Sequence, residues 1–559
     1  MTPAYFLRHR LFRILFLLLI CYFSFFMNNR LIYADIMESR NLVTAREIVA
    51  EGNWLIPTMN GELRLEKPPL PTWIAAVVEI VSPDNLPLQR AAAGLVATLL
   101  VFFVYLFASR QTGNRLLGMI GAVTLCTSFN IILMGRTATW DIYCHGFMLG
   151  AIYFLFKGGQ KEGKNWKEFL WAGFFMGLSF LGKGPVSFYA LLLPFLIAWG
   201  LVYRPSLRGK IGPLAVMVIL CLVISLWWPV LLYFTHKEIL LSVWDKEATA
   251  WFERSVRPWY YYWKFFVETG VWALFLLTAL IWPYWKKKVY FRKEYLFAVC
   301  WVFMVLICLS VLPEKKTRYL LPILIPSALV IAHLFMYWWQ VCQRGRLMGT
   351  EKILLRTNAF LIAAIVCLLP VGIYIVFYRS VKPDLTCFIF LTLLLEAIGI
   401  WLFRSALRDK PLSYIGGVLC LFMGVEIWGL PVVVSLFNNP GLKSIHAVRE
   451  IGKLKELPFY YDCREELRIE IVYEAGRKIL PYCFQEEKRL PALPFVLVSQ
   501  ESAEKVLPAD LQQHLRWEVI GLYDDNKRPA DTPWHSPKFV HYVTLVSAAV
   551  PSRNSEVTP

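Results

Sequence analysis

This chain has few of the signatures of soluble chemistry. Its 12 cysteines and 8 histidines form no CxxC pair and no Cys/His spacing suited to a metal, which excludes zinc modules and thioredoxin-like redox sites. A Gly-rich phosphate cradle, a nucleophile elbow and an acidic DxD pair in an outer loop are also missing, so no nucleotide cofactor is expected. Nor are there internal repeats, low-complexity tracts or paired broken helices, which argues against a transporter for a lipid-linked sugar. Charged residues make up only 18% of the chain. Ten cysteines lie singly in apolar stretches, where Cys acts as a small hydrophobe. Cys463 and Cys483 are the only pair in the C-terminal tail, and they can form a disulfide if the tail is external.

What is present is apolar. With 57% hydrophobic and 16% aromatic residues, the sequence reads as an α-helical polytopic membrane protein. Thirteen apolar stretches fall at about 11–27, 88–109, 116–134, 142–156, 168–182, 186–203, 212–234, 269–285, 295–312, 320–341, 357–378, 384–403 and 412–437. Several are shorter than the roughly 20 residues of an upright span. The first follows a basic start like a signal peptide, but no small-residue cleavage site follows, so it reads as a retained helix.

Every second loop is short and basic: Arg8/Arg10/Arg13, Arg110/Arg115, Lys157/Lys161/Lys164/Lys167, Arg204/Arg208/Lys210, Lys286–Lys288 with Arg292/Lys293, Arg344/Arg346/Lys352/Arg356, and Arg404/Arg408/Lys410. Short basic loops stay cytoplasmic. The N-terminus is therefore expected inside, the C-terminus outside, and the remaining loops on the external face. The net charge of +18 lies wholly in the membrane part, because residues 441–559 hold 16 Lys/Arg against 17 Asp/Glu. That is a topology signal, not a nucleic-acid surface. The expected domains are 1–439, transmembrane with a long first external loop at 28–87, and 440–559, a small soluble extracytoplasmic α/β or α+β domain. In the latter, strand-like runs (LPFYY, PFVLVSQ, HLRWEVIGLY, FVHYVTLV) alternate with a helical stretch near 464–479.

Charged residues at the outer rim carry the chemistry. Asp35 follows the first span; a carboxylate at a membrane edge is hydrated, paired or used, and an ordinary helix cap is the plain alternative. Residues 36–51 read as an amphipathic helix along the membrane surface. Glu66-Lys67 stands on the stiff Pro68-Pro69 turn, either as a site element or as a surface ion pair. Asp141 opens the fourth span, where capping alone also suits an acid. Lys183 sits between two glycines, and a snorkelling lysine is its plain alternative. The run PEKKTRYLLP places Lys315, Lys316, Arg318 and Tyr319 on an outer loop, against the positive-inside pattern, and a bound anion accounts for that best. The 236–268 loop, rich in Trp and Tyr, reads as an interfacial girdle or a lid. Together these residues suit a substrate with an anionic head and an apolar tail: carboxylates serve as base or hold a cation, and Lys and Arg neutralise a departing phosphate.

The order of Asp35, Arg40, Arg46-Glu47, Gly52-Asn53-Trp54, Glu66-Lys67-Pro68-Pro69, Asp141 and Lys316/Arg318/Tyr319 resembles the polyprenyl-phosphate-dependent glycosyltransferases of the protein O-mannosyltransferase and ArnT (aminoarabinose transferase) superfamily. The stretch GNWLIPTMNGELRLEKPPLPTW is the most specific part. The resemblance implies a GT-C fold of about 13 transmembrane helices with a C-terminal extracytoplasmic domain, in the inner membrane. The implied activity is sugar transfer from a polyprenyl (undecaprenyl) phosphate to a lipid such as lipid A, or to protein Ser/Thr. It also implies catalytic roles for Asp35 and Asp141, carrier-phosphate binding by Arg40, Lys67, Lys316, Arg318 and Tyr319, and a divalent metal held by Glu66. The chain departs from the family in two places. DIMESR is two residues longer than the usual spacing, leaving Glu38 as the second acid. WDKEATAWF lacks the metal-binding His, which leaves Glu247 nearest in position and His236 further off.

Overall fold

The computed structural model describes residues 9–549 apart from 161, 207, 346, 348, 378–384, 438, 440 and 488. Arg8, Lys161 and Arg346 of the basic loops, and Asn438 and Pro440 at the expected domain boundary, lie outside the described residues. The chain forms two compact units, one of residues 1–32 with 65–436 and one of 33–64 with 437–559.

The first unit is helical, with helices at all thirteen predicted positions. Among the described residues, seven are long and apolar enough to cross a membrane: Leu86–Thr112, Ile211–Thr235, Arg292–Val311, Thr317–Gln343, Thr350–Ile375, Leu385–Leu407 and Pro411–Val434. An eighth is the pair Arg115–Cys126 and Phe129–Gly135, bent by 70°. At that bend the Thr127 and Ser128 hydroxyls donate back to the Val123 and Thr124 carbonyls, a pattern that bends helices. The predicted 269–285 span is interrupted. Gly270 takes φ 62° at the end of the 3-10 stretch Trp259–Trp272, and short helices Ala273–Ala279 and Trp282–Trp285 follow.

Thr317–Gln343 runs through the centre of this unit, almost wholly buried, whereas Ile211–Thr235 and Leu385–Leu407 expose most of their apolar side chains. Those outer faces need lipid, not water, around them. Small residues set the closest approach of Trp166–Lys183 to Ile211–Thr235: a methyl on Gly173 would meet the Met217 carbonyl oxygen at 2.5 Å. Buried charge is paired. Arg136 donates to Glu426 and to the Met27 carbonyl, and Arg90 donates to the Asn29 and Ile32 carbonyls.

The second unit is α/β. Its strands are β1 Thr58–Met59, β2 Glu62–Leu63, β3 Phe459–Asp462, β4 Leu480–Tyr482, β5 Phe495–Ser499, β6 Leu515–Asp524 and β7 Val540–Ala548. Strands β3–β7 form one mixed sheet in the order β4-β3-β5-β7-β6. β3 pairs in parallel with β4 and β5, and β7 pairs antiparallel with β5 and β6. The central strand β5 is buried throughout. Cys463 and Cys483, just beyond β3 and β4, are disulfide-bonded.

The sequence assigns 33–64 to the membrane part, but in the structure this segment folds with the C-terminal residues. Helix Ile36–Glu51 packs on Ile469–Ala475, where Arg46 donates to the Tyr473 carbonyl at 3.2 Å. Its buried residues are both polar (Glu38, Asn41, Thr44, Glu47) and apolar (Leu42, Val43, Ile48). Asn60-Gly61, at φ 54° and 84°, makes the tight turn between β1 and β2. Its amides donate to Glu47, while Asn60 exchanges hydrogen bonds with Ile479 through both its amide nitrogen (2.7 Å) and its amide oxygen (2.8 Å).

Candidate active site

In the helical unit, three elements bring charge to one tyrosine. Helix Trp140–Gln160 starts at Asp141's turn, and helix Trp166–Lys183 ends on Lys183, where Gly184 at φ 72° turns the chain away. Lys183 donates to Asp141 Oδ1, with both side chains buried. The third element is the loop and 3-10 turn that lead into Leu321–Gln343. There the Tyr319 ring has Lys183 Nζ at 5.1 Å, Arg318 Cζ at 5.6 Å and Lys316 Nζ at 5.8 Å from its centroid. Cations at these distances are attracted to the ring face, but one ring cannot offset three like charges. Two acids, Asp141 and Glu314, pair with cations of the cluster, Asp141 with Lys183 and Glu314 with Lys316.

Glu314 is an acid of this cluster that reading the sequence missed. It accepts from Lys316 at 2.5 Å and from Arg254 at 3.1 Å, and the Tyr319 hydroxyl lies 3.5 Å away. Burial pushes its carboxyl upward, but the bonds and charges of Lys316 and Arg254 outweigh this and hold it below the usual carboxylate range. Tyr262 locks Lys316 from the main chain: its hydroxyl donates to the Lys316 carbonyl at 3.2 Å and accepts from the Lys316 amide at 3.0 Å. An acid inside a basic run was the available signal for Glu314. Arg254 and Tyr262 had none, because they arrive through the pairing of Val256 with Glu314.

The structure thus brings together Asp141, Lys316, Arg318 and Tyr319, and adds Lys183. Lys67 sits elsewhere in the same unit's contacts, 3.1 Å from Glu247. Asp35 and Arg40 belong to the second unit. Asp35 is exposed and is the N-cap of Ile36–Glu51, accepting from the Glu38 amide at 2.8 Å. Arg40 Nε is buried without a hydrogen-bond partner.

The expected metal finds no donor set to fit it. Glu247 is engaged by the Lys67 ammonium, which already supplies the positive charge. Glu66 has one buried carboxylate oxygen without a partner, but a single carboxylate is far from the six oxygen ligands of a hard cation. Among the described residues, no group of three or more His, Cys, Asp or Glu could hold an ion.

Residues 66–228 match the family described as dolichyl-phosphate-mannose-protein mannosyltransferase. An uncharacterized protein of Aquifex aeolicus is 27% identical over 316 residues, covering 56% of this chain and 60% of that protein. The undecaprenyl phosphate-alpha-4-amino-4-deoxy-L-arabinose arabinosyl transferase 1 of Pseudomonas fluorescens is 26% identical over 315 residues, covering 54% and 53%. The chain therefore spans little more than half the length of these relatives. In fold, the crystal structure of ArnT from Cupriavidus metallidurans bound to undecaprenyl phosphate superposes with a TM-score of 0.65, covering 97% of this chain and 98% of that one at 16% identity. The chain thus shares the fold of the ArnT structure over nearly its whole length, while the family match is confined to residues 66–228.

Proposed function

We propose that this chain is a membrane glycosyltransferase. It takes a sugar from a polyprenyl (undecaprenyl) phosphate and passes it to a lipid acceptor such as lipid A, on the outer face of the inner membrane. The observation that carries this reading is the ring of Lys183, Lys316 and Arg318 around Tyr319, on an apolar bundle whose exposed faces need lipid. Such a cluster suits a phosphate joined to a long apolar chain. ArnT-like relatives named for transfer from undecaprenyl phosphate support the same donor. In the reaction an acceptor oxygen attacks the anomeric carbon as the bond from that carbon to the phosphate oxygen breaks. The polyprenyl phosphate leaves with the electron pair, and nearby cations stabilise the charge that develops.

Lys316, Arg318 and Tyr319, whose ring the two cations face, are assigned to the carrier phosphate together with Lys67. Asp141 is the second catalytic acid of this reading, and its ion pair with Lys183 fixes where its carboxylate stands. Asp35 orients the acceptor and, where that is a neutral hydroxyl, takes its proton. An acceptor that is itself a phosphate is already an anion and needs only orientation. The basic loops argue for an N-terminus inside and a C-terminus outside, and the disulfide suits an oxidising compartment.

The family description matched by residues 66–228 names protein mannosylation, so transfer to Ser or Thr of a protein is the second reading. Purified protein in lipid nanodiscs, given a polyprenyl-phosphate sugar, is expected to release polyprenyl phosphate only when acceptor is present. Mass spectrometry of lipid A, other glycolipids and glycoproteins from a deletion strain separates the acceptors. Loss of a sugar from glycoproteins alone would replace the lipid reading.

A further inference from the structure

Within the second unit, the N-terminal end of helix Ile36–Glu51 is held by one side chain from the far end of the sequence. Lys527 donates its ammonium hydrogen to the Ala34 carbonyl and lies 5.4 Å from the centroid of the Tyr33 ring. Ala34 and Tyr33 immediately precede Asp35. Lys527 is itself on a firmly fixed turn after β6. Asn526 Nδ2 donates to Asp524 at 2.7 Å and to the Ser536 carbonyl at 3.0 Å, and the Ser536 amide donates back to Asn526 at 2.8 Å. His535 lies 3.0 Å from the same Asp524 carboxylate. Burial lowers the Lys527 pKa, while the carboxylates of Glu474, Glu470, Asp35 and Glu38 favour its charged form. The opposite end of the first-loop segment has separate ties: Arg46 to the Tyr473 carbonyl, Lys478 to Glu51, and Asn60 to Ile479. Removing Lys527 therefore leaves these ties in place and acts on the Asp35 end of the segment.

We propose that Lys527 is a positioning residue for Asp35: by fixing the Ala34 carbonyl and the Tyr33 ring, it sets where the Asp35 carboxylate stands for the acceptor. The inference rests on the transferase reading for its catalytic meaning. Misplacing a reacting group by about an ångström costs up to about 100-fold in rate, so the effect belongs in kcat, not in carrier binding.

The test uses full-length protein in nanodiscs, with Lys527→Met and Lys527→Arg compared by steady-state transfer and by amide hydrogen exchange. Lys527→Met is expected to lower kcat about 10–100-fold, leave the KM for the polyprenyl-phosphate sugar within about twofold, and speed exchange at Glu38 and Ser39. Those two amides bond to Asp35. Lys527→Arg keeps a donor for the carbonyl and is expected to restore most of the rate and the protection. Unchanged kcat in Lys527→Met, a loss that follows the folded fraction, or an Arg variant no better than Met would each overturn the inference while leaving the transferase reading intact. Absence of carrier-dependent transfer by the wild type would overturn that reading instead. In that case unchanged exchange at Glu38 and Ser39 would still sink the role of Lys527, and faster exchange would uphold its hold on the segment.

Discussion

The two units use charge in opposite ways. In the helical unit the buried ions are paired across distant segments: Asp141 with Lys183, and Arg136 with Glu426, whose side chains are 6% and 9% exposed. In the second unit several pairs join exposed side chains, as in Lys453 with Glu518 and Lys538 with Glu466. An ion in apolar surroundings is strongly penalised unless its partner is present, so each buried pair is both a structural liability and a pointer to function. Exposed pairs are screened by water and salt and contribute about 0–1 kcal/mol. The difference teaches where to look: charge that stability alone does not explain is concentrated around Tyr319.

The largest effect is expected where one buried partner is removed. Glu426→Gln leaves the Arg136 guanidinium uncompensated and should destabilise the helical unit by about 3–5 kcal/mol, read as the unfolding midpoint in detergent. Replacing both by Met should cost much less. Equal losses from the single and double variants would show that the pair is not coupled.

Asp35 sharpens the comparison, because it is an exposed acid with an assigned chemical role. Asn caps a helix about as well as Asp, so Asp35→Asn should keep stability within a few tenths of a kcal/mol. If Asp35 acts as a base, transfer should fall about 10²–10⁴-fold. Wild-type turnover by this variant would leave Asp35 as a helix cap alone.

A smaller effect comes from the buried acid of the second unit. Burial raises the Asp525 pKa to about 6, against the lowering effect of its bonds from Ser444 and the Ile445 amide. A raised folded-state pKa favours the folded protein when the group is protonated. That contribution is complete below the unfolded value near 3.8 and is lost as pH rises through about 6. The second unit should therefore lose about 2–3 kcal/mol between pH 4 and pH 7 from this group, and Asp525→Asn should flatten the profile. A slope that persists in Asp525→Asn would assign it to other groups. The smallest effect is expected at the exposed pair: Lys453→Ala should shift stability by no more than about 1 kcal/mol, and a larger shift in urea unfolding would contradict the contrast between the units.

Much of this was readable before the structure. Apolar runs and basic loops located the helices because burial in lipid leaves a one-dimensional record in hydropathy. Four of the five strands of the C-terminal sheet were visible as β-rich runs. The fifth, Leu480–Tyr482, is too short and too exposed to show alternation. Asn60-Gly61, between β1 and β2, is the dipeptide that a tight hairpin turn favours. The grouping of 33–64 with the C-terminal residues could not be read, since Lys527 and Ala34 are 493 residues apart and no periodicity links them. The candidate site was legible as residue types on loops between the apolar stretches. Its centre on Tyr319 and the approach of Arg254 to Glu314 depend on tertiary structure alone.

The central claim is that the cations around Tyr319 bind the phosphate of a polyprenyl carrier. Its most direct test is the affinity of purified protein in nanodiscs for undecaprenyl phosphate, comparing wild type with Lys316→Ala, Arg318→Ala and the exposed control Lys453→Ala. A charge-assisted contact is worth about 1.5–3 kcal/mol, so each of the first two variants should weaken binding at least about tenfold, with Lys453→Ala unchanged. Wild-type affinity in both Lys316→Ala and Arg318→Ala would contradict the account and leave these residues as a purely structural ion-pair network.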